Sequence, residues 1–427
     1  MTIRAGAGRL GLVSFLARRS LAQHALTTVV TAACVALGVG LVLAVLGISR
    51  QAEDAFTGGE AGFDAVLGAR GSALQLVLNT VFHLETSPGN IPWSLYEAVR
   101  ADPGVALAVP YAVGDNYRGF RIVGTTREML DSFEYRAGRR FEAREGGRFF
   151  DPERREAVLG SEVARRSGLA EGSTFNPYHG LATDESQRHP EEYVVVGVLE
   201  PTNSPSDRVL WIPIEGVFRM SGHVLRGTGT QYQARPGEAI PAEHREVSAV
   251  MLKLRSPQAG FALSQTINRQ GKVATLAWPV GRVMAELFDR IGWVTRVLAF
   301  VAWLVMLVAA GSVLASLYGS MAARRRDVAI LRALGAGRAT VFAAVVTEAA
   351  LLSAAGAVGG LTVYGVTLAV ARSLIRAQTG VLLDPFVAPP GLVAVPLAAV
   401  GLGAVAGVLP AVLAYRTDVA SHLTAES

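Results

Sequence analysis

Four apolar runs constrain this chain more than anything else in it: residues 25–48, 297–322, 340–371 and 390–414. A helix needs roughly 20 apolar residues to cross the hydrocarbon core of a bilayer, and each run is long enough. The first carries no charge; as a helix at 1.5 Å per residue it would reach about 36 Å. It also exceeds the roughly 7–15 apolar residues of a cleaved signal, the alternative for a run so close to the N-terminus. The third carries a single acid, Glu348. Residues 49–290 separate the first two runs and are numerous enough for one or two compact domains. The expected fold class is therefore a membrane α-helical bundle of four transmembrane helices with an α+β extracytoplasmic domain inserted between spans one and two. Composition agrees. At 51% hydrophobic and 18% charged, with a mean hydropathy of +0.35, the chain is too apolar for an ordinary soluble protein and too charged to be all membrane.

Charge around the spans predicts their orientation. Arg4, Arg9, Arg18 and Arg19 precede span one without an acid. Arg324, Arg325, Arg326, Arg332 and Arg338 lie between spans two and three against Asp327 alone. The loop 372–389 has only Arg372, Arg376 and Asp384. Short basic loops stay cytoplasmic, so residues 1–24, 323–339 and 415–427 are expected inside, and 49–290 and 372–389 outside. Membrane orientation thus accounts for much of the basic excess, a net +5, and nucleic acid is a poor partner for it. Residues 9–21 place Leu10, Val13, Ala17 and Leu21 at helical spacing with arginines between them. This reads as an interfacial helix leading into span one, or else as a basic disordered leader. Cys34, the single cysteine, lies inside span one, so no disulfide forms within the chain.

In the inserted domain, strand-like runs recur at 105–109, 120–123, 193–199, 209–214 and 247–254. Helix-like runs intervene at 92–101, 161–169 and 258–268, the last behind Ser256-Pro257 as N-cap and first helical residue. The polar stretch 176–192 has no periodicity and reads as a long loop or insertion. Residues 74–84 (LQLVLNTVFHL) are too few to span a bilayer. They read as a core helix of the domain, or as a segment lying on the membrane or binding an apolar partner.

Catalytic motifs are missing from the sequence. Gly271-Lys272-Val273 lacks the hydroxyl residue and the upstream glycine of a phosphate-binding loop. Neither a Gly-x-Ser-x-Gly elbow nor a His-Glu-x-x-His helix occurs. The histidines His24, His83, His179, His189, His223, His244 and His422 show no close metal-ligand spacing, so surface histidines and no metal are expected; His179 and His189 share the polar loop and leave a metal site there as an alternative. Glu348, an acid inside a span, is expected to face the cytoplasmic interface or pair with a loop arginine, since no second intramembrane acid accompanies it for a proton relay. Small residues at four-residue spacing, Gly311, Ala315 and Gly319, Gly356 and Gly360, and Gly403 and Gly407, permit close helix packing.

The segment after span two is more than a turn. Over 326–334, Val328, Leu331 and Leu334 share one helical face while Arg325, Ala329 and Arg332 share another, and Gly335 suits a helix stop. Orientation alone would not need this amphipathic continuation, which suggests a surface built to touch a partner.

At these residues the chain resembles the FtsX-like/MacB-type permeases of ABC transporters. RRRDVAILRALGAGRATVF, residues 324–342, is similar to the family's R-[RK]-x-[ED]-[IV]-A-[IL]-L-[RK]-A-[LI]-G-A-[ST] pattern and departs from it at Gly337. Residues 348–360 resemble the start of the family's third span. Residues 409–423 (LPAVLAYRTDVASHL) resemble its C-terminal ending, with Asp418 and Val419 at its usual Asp-Pro. Residues 17–40 resemble its first span, and the stretch 138–199 resembles its periplasmic core domain. The resemblance implies a subunit in a bacterial inner membrane that pairs with a second permease copy or paralogue. It also implies a separate cytoplasmic ATPase dimer that binds ATP and Mg, engaged through Arg325, Arg326, Asp327, Val328, Ile330, Leu331, Arg332, Leu334 and Gly335. This chain would itself be non-catalytic and bind no cofactor; with about 24 residues before span one, its ATPase is expected to be a separate chain. ATPase closure would move the spans and, through them, the periplasmic domain. Export or extraction of an amphipathic lipoprotein, peptide or small toxic molecule fits such a machine, with or without a periplasmic or outer-membrane partner. So does ATP-driven regulation of a periplasmic enzyme. A secondary transporter or channel would need more polar groups at mid-depth, and a non-transporting receptor would not need the packed spans.

Overall fold

The computed structural model describes residues 2–57, 62–180, 184–227, 229–234, 238–333 and 336–416. Its helices are α1 (Thr2–Gln23), α2 (Ala25–Thr57), α3 (Ala73–Thr80), α4 (Trp93–Arg100), α5 (Glu128–Asp131), α6 (Ser161–Ser167), α7 (Ile214–Phe218), α8 (Pro257–Ser264), α9 (Val280–Ala323), α10 (Arg325–Ala333), α11 (Arg338–Thr379) and α12 (Ala394–Arg416). Its strands are β1 (Ala65–Ala69), β2 (Ile91–Pro92), β3 (Val105–Tyr117), β4 (Phe120–Thr125), β5 (Glu134–Arg136), β6 (Arg139–Arg140), β7 (Glu156–Leu159), β8 (Thr174–Phe175), β9 (Tyr178–His179), β10 (Tyr193–Val198), β11 (Val209–Pro213), β12 (Glu246–Val247), β13 (Ala249–Leu254) and β14 (Ala274–Ala277). The chain divides into two compact units: Met1–Gln51 with Ile291–Arg372 and Asp384–Ser427, and Ala52–Arg290 with Ser373–Leu383.

The second unit is the mixed domain. One ten-stranded sheet runs in the order β14-β1-β13-β3-β4-β11-β7-β10-β8, with β9 paired to β3 off that path. Successive side chains of a strand point to opposite faces, and here both faces are covered. Leu210 and Ile212 join one core cluster with Ala65, Leu67 and Leu252; their neighbours Val209 and Trp211 join the other with Val66 and Met251. Burial on both faces explains why these strands read as continuous apolar runs rather than alternating ones. Every expected strand forms, though β3 runs on to Tyr117 and the 247–254 run is split between β12 and β13. Strands β1, β7 and β14 were not expected. Their alanine-rich sequences AVLGA, EAVL and ATLA carry little β-preference and are strands because of the neighbours they pair with.

Local capping explains the helices. Ser256 Oγ accepts a hydrogen bond from the Ala259 backbone N–H at 3.3 Å ahead of Pro257. Gly168 ends α6 at φ 76°, a left-handed stop suited to glycine. Residues 74–84 largely form α3, capped by Ser72, and Leu76 and Val77 are fully buried in the domain core. Most of the apolar side chains of this run therefore pack on the domain, and Leu84 at its end is 45% exposed. The stretch 176–192 is more structured than expected. It carries β9 and a single helical turn at Glu185–Gln187, although residues 181–183 lie outside the described residues.

In the first unit, the four apolar runs are helices long enough to cross a membrane: Ala25–Phe56, Val280–Ala323, Arg338–Thr379 and Ala394–Leu413. The second and third are longer than the 297–322 and 340–371 expected, at 44 and 42 residues. At 1.5 Å per residue, each exceeds the roughly 30 Å of a hydrocarbon core about twofold. Apolarity marks the part of a helix that sits in lipid, whereas the helix continues wherever its backbone bonds are satisfied. On α1, Val13 and Ala17 are buried against protein, while Leu10 falls among residues whose side chains are outside the description.

The small-residue pairs fall into two groups. A Cβ added at Gly356 would come 2.5 Å from Val35, and one at Gly360 would come 2.6 Å from Val39, so α11 and α2 touch through glycine. Gly403 and Gly407 of α12 lie equally close to Ser353 and Ala349 of α11. By contrast, Gly311 and Gly319 of α9 face open space, and Ala315 between them is exposed.

Candidate functional site

Helix α10 is a nine-residue amphipathic helix between α9 and α11. A short helix tethered to two long ones must bury one side against them. Ala329 is 1% exposed, and Val328 packs on the cluster of Val341, Val345 and Ala411. Arg326, Ile330 and Ala333, at i, i+4 and i+7, are exposed. The bundle takes the side that carries Val328 and Ala329, and the outward apolar residue is Ile330, 42% exposed. Sequence periodicity finds two faces but not which one the bundle takes. Arg325, Asp327 and Leu331 lie on the same helix with undescribed side chains, Arg332 is half-buried, and Leu334 and Gly335 are outside the described residues.

Directly before α10, Arg324 reaches back to the third span. Its Nη2 lies 3.3 Å from Glu348 Oε1, with the two side chains 18% and 8% exposed. Arg324 also donates to Ser320 Oγ, and Ser20 of α1 donates to Glu348 Oε1. Glu348 is thus a junction of α1, the end of α9 and α11, paired with the residue that precedes α10.

The mixed domain holds a second constellation. Asp115, His179, His189 and His223 each offer a ligand atom, all within 4.8 Å of one another. This corrects the expectation of surface histidines: His189 and His223 side chains are 7% and 12% exposed and Asp115 1%, with only His179 half open at 52%. His179 and His189 share the polar stretch that left a metal site as an alternative, but Asp115 and His223 are far from it in sequence, and no local signal joins them to it. The fold does so. Asp115 sits at a register shift in β3, opposite Ile122 on one side and His179 of β9 on the other.

The family model of the MacB-like periplasmic core domain matches residues 28–270, more than half of the chain. The FtsX-like permease C-terminal model matches residues 299–419. Among solved structures, the extracellular domain of the noncanonic ABC-type transporter YknZ from Gram-positive bacteria is similar at 14% identity with a TM-score of 0.28, covering 49% of this chain and 97% of that one. The periplasmic region of MacB from Actinobacillus actinomycetemcomitans is similar at 10% identity and a TM-score of 0.32, covering 53% and 94%. No curated protein matches the chain. With four membrane-length helices, the inserted mixed domain and both family models in register along it, the chain belongs to the MacB/FtsX-like permeases, the membrane subunits of ABC transporters that work with a cytoplasmic ABC ATPase.

Proposed function

We propose that this permease couples ATP hydrolysis on a separate cytoplasmic ATPase to movement of its mixed domain, with α10 as the docking element. The observation that carries this reading is the outward row Arg326, Ile330 and Ala333 on a helix whose other side is fixed by Ala329 and Val328. A push on that row passes to α11 through packed side chains and to α9 through the Arg324–Glu348 pair. In this reading both termini and α10 face the cytoplasm, and the mixed domain faces the outside of a bacterial inner membrane. The loop charges support that orientation.

A second copy or a paralogue packs against the exposed small-residue stripe Gly311, Ala315 and Gly319, which no helix of this chain covers among the described residues. ATP and Mg belong to the partner, and this chain performs no chemistry of its own. The transported or extracted molecule is an amphipathic lipoprotein, peptide or small toxic compound. That class rests on family likeness alone, because Leu76 and Val77 of the 74–84 run are buried in the domain core.

Affinity purification of the tagged chain from its native membrane, in mild detergent with nucleotide, tests the reading. A stoichiometric P-loop ATPase in the wild-type preparation and its loss from Ile330→Asp are expected. A preparation without ATPase, or an Ile330→Asp chain that retains it and keeps full nucleotide-dependent activity, would refute docking through α10.

A further inference from the structure

We propose that Asp115, His179, His189 and His223 form a binding site for a divalent transition-metal ion of the Zn2+ class in the mixed domain. Asp115 Oδ1 lies 3.3 Å from His179 Nδ1, 3.2 Å from His189 Nε2 and 3.2 Å from His223 Nε2. Ligands about 2.0–2.2 Å from a tetrahedral Zn2+ are separated by about 3.3–3.6 Å. The three distances from the carboxylate to the imidazoles lie at the short end of a tetrahedron's edges. The whole set lies within 4.8 Å, so closing on an ion takes side-chain movements of the order of 1 Å.

The outer hydrogen bonds point the same way. His189 Nδ1 is 2.9 Å from the Ser221 carbonyl, and His223 Nδ1 is 2.9 Å from the Val217 carbonyl. A carbonyl only accepts, so in both rings Nδ1 carries the hydrogen. In a neutral ring Nε2 then bears a lone pair, and both lone pairs aim at a carboxylate oxygen that has only lone pairs to offer. This is repulsive unless the rings are protonated or a cation lies between them. The His189 and His223 ring centroids are 5.1 Å apart, with His179 close by. A metal ion satisfies all four groups at once, and backbone carbonyls holding the distal imidazole nitrogens are the usual outer partners of metal-bound histidine.

The surroundings add negative charge. Asp115 Oδ2 is buried without a hydrogen-bond partner. Glu191 accepts from both the Ser221 N–H and Ser221 Oγ, fixing the residue whose carbonyl holds His189, and its own Oε2 is also unpartnered. Four protein ligands leave no open position, which marks a closed structural site rather than a catalytic one. The ion would tie the β3 bulge, the β9 segment and the chain at 221–223 together, three stretches otherwise far apart in sequence.

The test uses the full chain purified in detergent, stripped with chelator and reloaded. One equivalent of Zn2+ by elemental analysis after gel filtration, a rise in Tm on reloading, and the visible absorption bands of tetrahedral Co2+ are expected. His223→Ala and Asp115→Asn should abolish all three. Should either fail to fold, His179→Gln alters the half-exposed ligand, and its Zn2+ affinity should fall by at least the roughly 10–100-fold that loss of a mere outer partner costs. A monodisperse stripped chain that takes up neither Zn2+ nor Co2+, or a His179→Gln chain with wild-type affinity, would overturn the proposal.

Discussion

Arg324 and Glu348 form an ion pair that joins the end of the second span to the early part of the third, with Nη2 and Oε1 3.3 Å apart. Because Glu348 also accepts from Ser20, the N-terminal helix α1 is held at the same point. The one acid within the apolar runs 25–48, 297–322, 340–371 and 390–414 thus serves as a three-helix clasp next to α10.

Removing one member of this pair should be worse than removing both. Glu348→Ala leaves a largely buried guanidinium uncompensated, at a cost of about 3 kcal/mol, whereas apolar replacement of both partners is often close to neutral. Thermal unfolding in detergent of Glu348→Ala, Arg324→Leu and the double variant Glu348→Leu/Arg324→Leu checks this. A double variant as unstable as the sum of the singles would show that the pair is not coupled.

Glycine has two different jobs in the bundle. Gly360→Ala drives a Cβ to 2.6 Å from Val39, and such overpacking costs about 1–3 kcal/mol. Gly311→Ala meets nothing within 4 Å and should leave the isolated chain's Tm unchanged. Gly311→Leu should instead weaken self-association or pairing with a paralogue, read as a shift to smaller species in size-exclusion light scattering. An unaltered assembly would exclude the α9 stripe as the contact.

His83 makes the mixed domain acid-sensitive. It is half-buried near Trp211, its Nδ1 is enclosed without a partner, and desolvation, then Arg121 and Arg208, pushes its pKa down to about 3. Between the ordinary value near 6.5 and about 3, the unfolded chain binds a proton that the folded chain refuses. Stability therefore falls as pH drops through that window, by up to about 1.4 kcal/mol per pH unit. Asn tolerates the left-handed backbone at His83, φ 56°, so His83→Asn should flatten the decline of Tm from pH 7 to pH 5, measured with chelator present. Parallel declines in both proteins would exonerate His83.

Glu156 contributes at lower pH. Arg148 grips both of its oxygens at 2.6 and 2.5 Å, and the Asp151 N–H adds a third bond at 2.9 Å. The Arg148 hydrogen bonds, set against desolvation, hold its carboxyl below the usual range. Its stabilisation is present above the ordinary glutamate pKa and lost as pH falls toward the depressed one. Arg148 is half exposed, so solvent screening keeps the loss in Arg148→Ala small at pH 7. That difference should shrink below pH 4 in denaturant titrations; a constant difference would assign the effect to packing.

What sequence alone determined is what depends on near neighbours. Apolar length identified the four membrane helices, since a bilayer demands it of any span. The Ser256-Pro257 start and the Gly168 stop are local backbone chemistry, and the 324–342 pattern carried the family. Tertiary structure decided the rest. Strands β1, β7 and β14 exist because of their partners in the sheet. The turn of Val328 inward and Ile330 outward was settled by which side of α10 the bundle covers. Glu348 found Arg324 and Ser20 only once three helices met. Only His179 and His189 could be paired from the sequence; the meeting with Asp115 and His223 was illegible for the same reason, because a bulge in β3, a two-residue strand and loops bring the four side chains within a few ångströms.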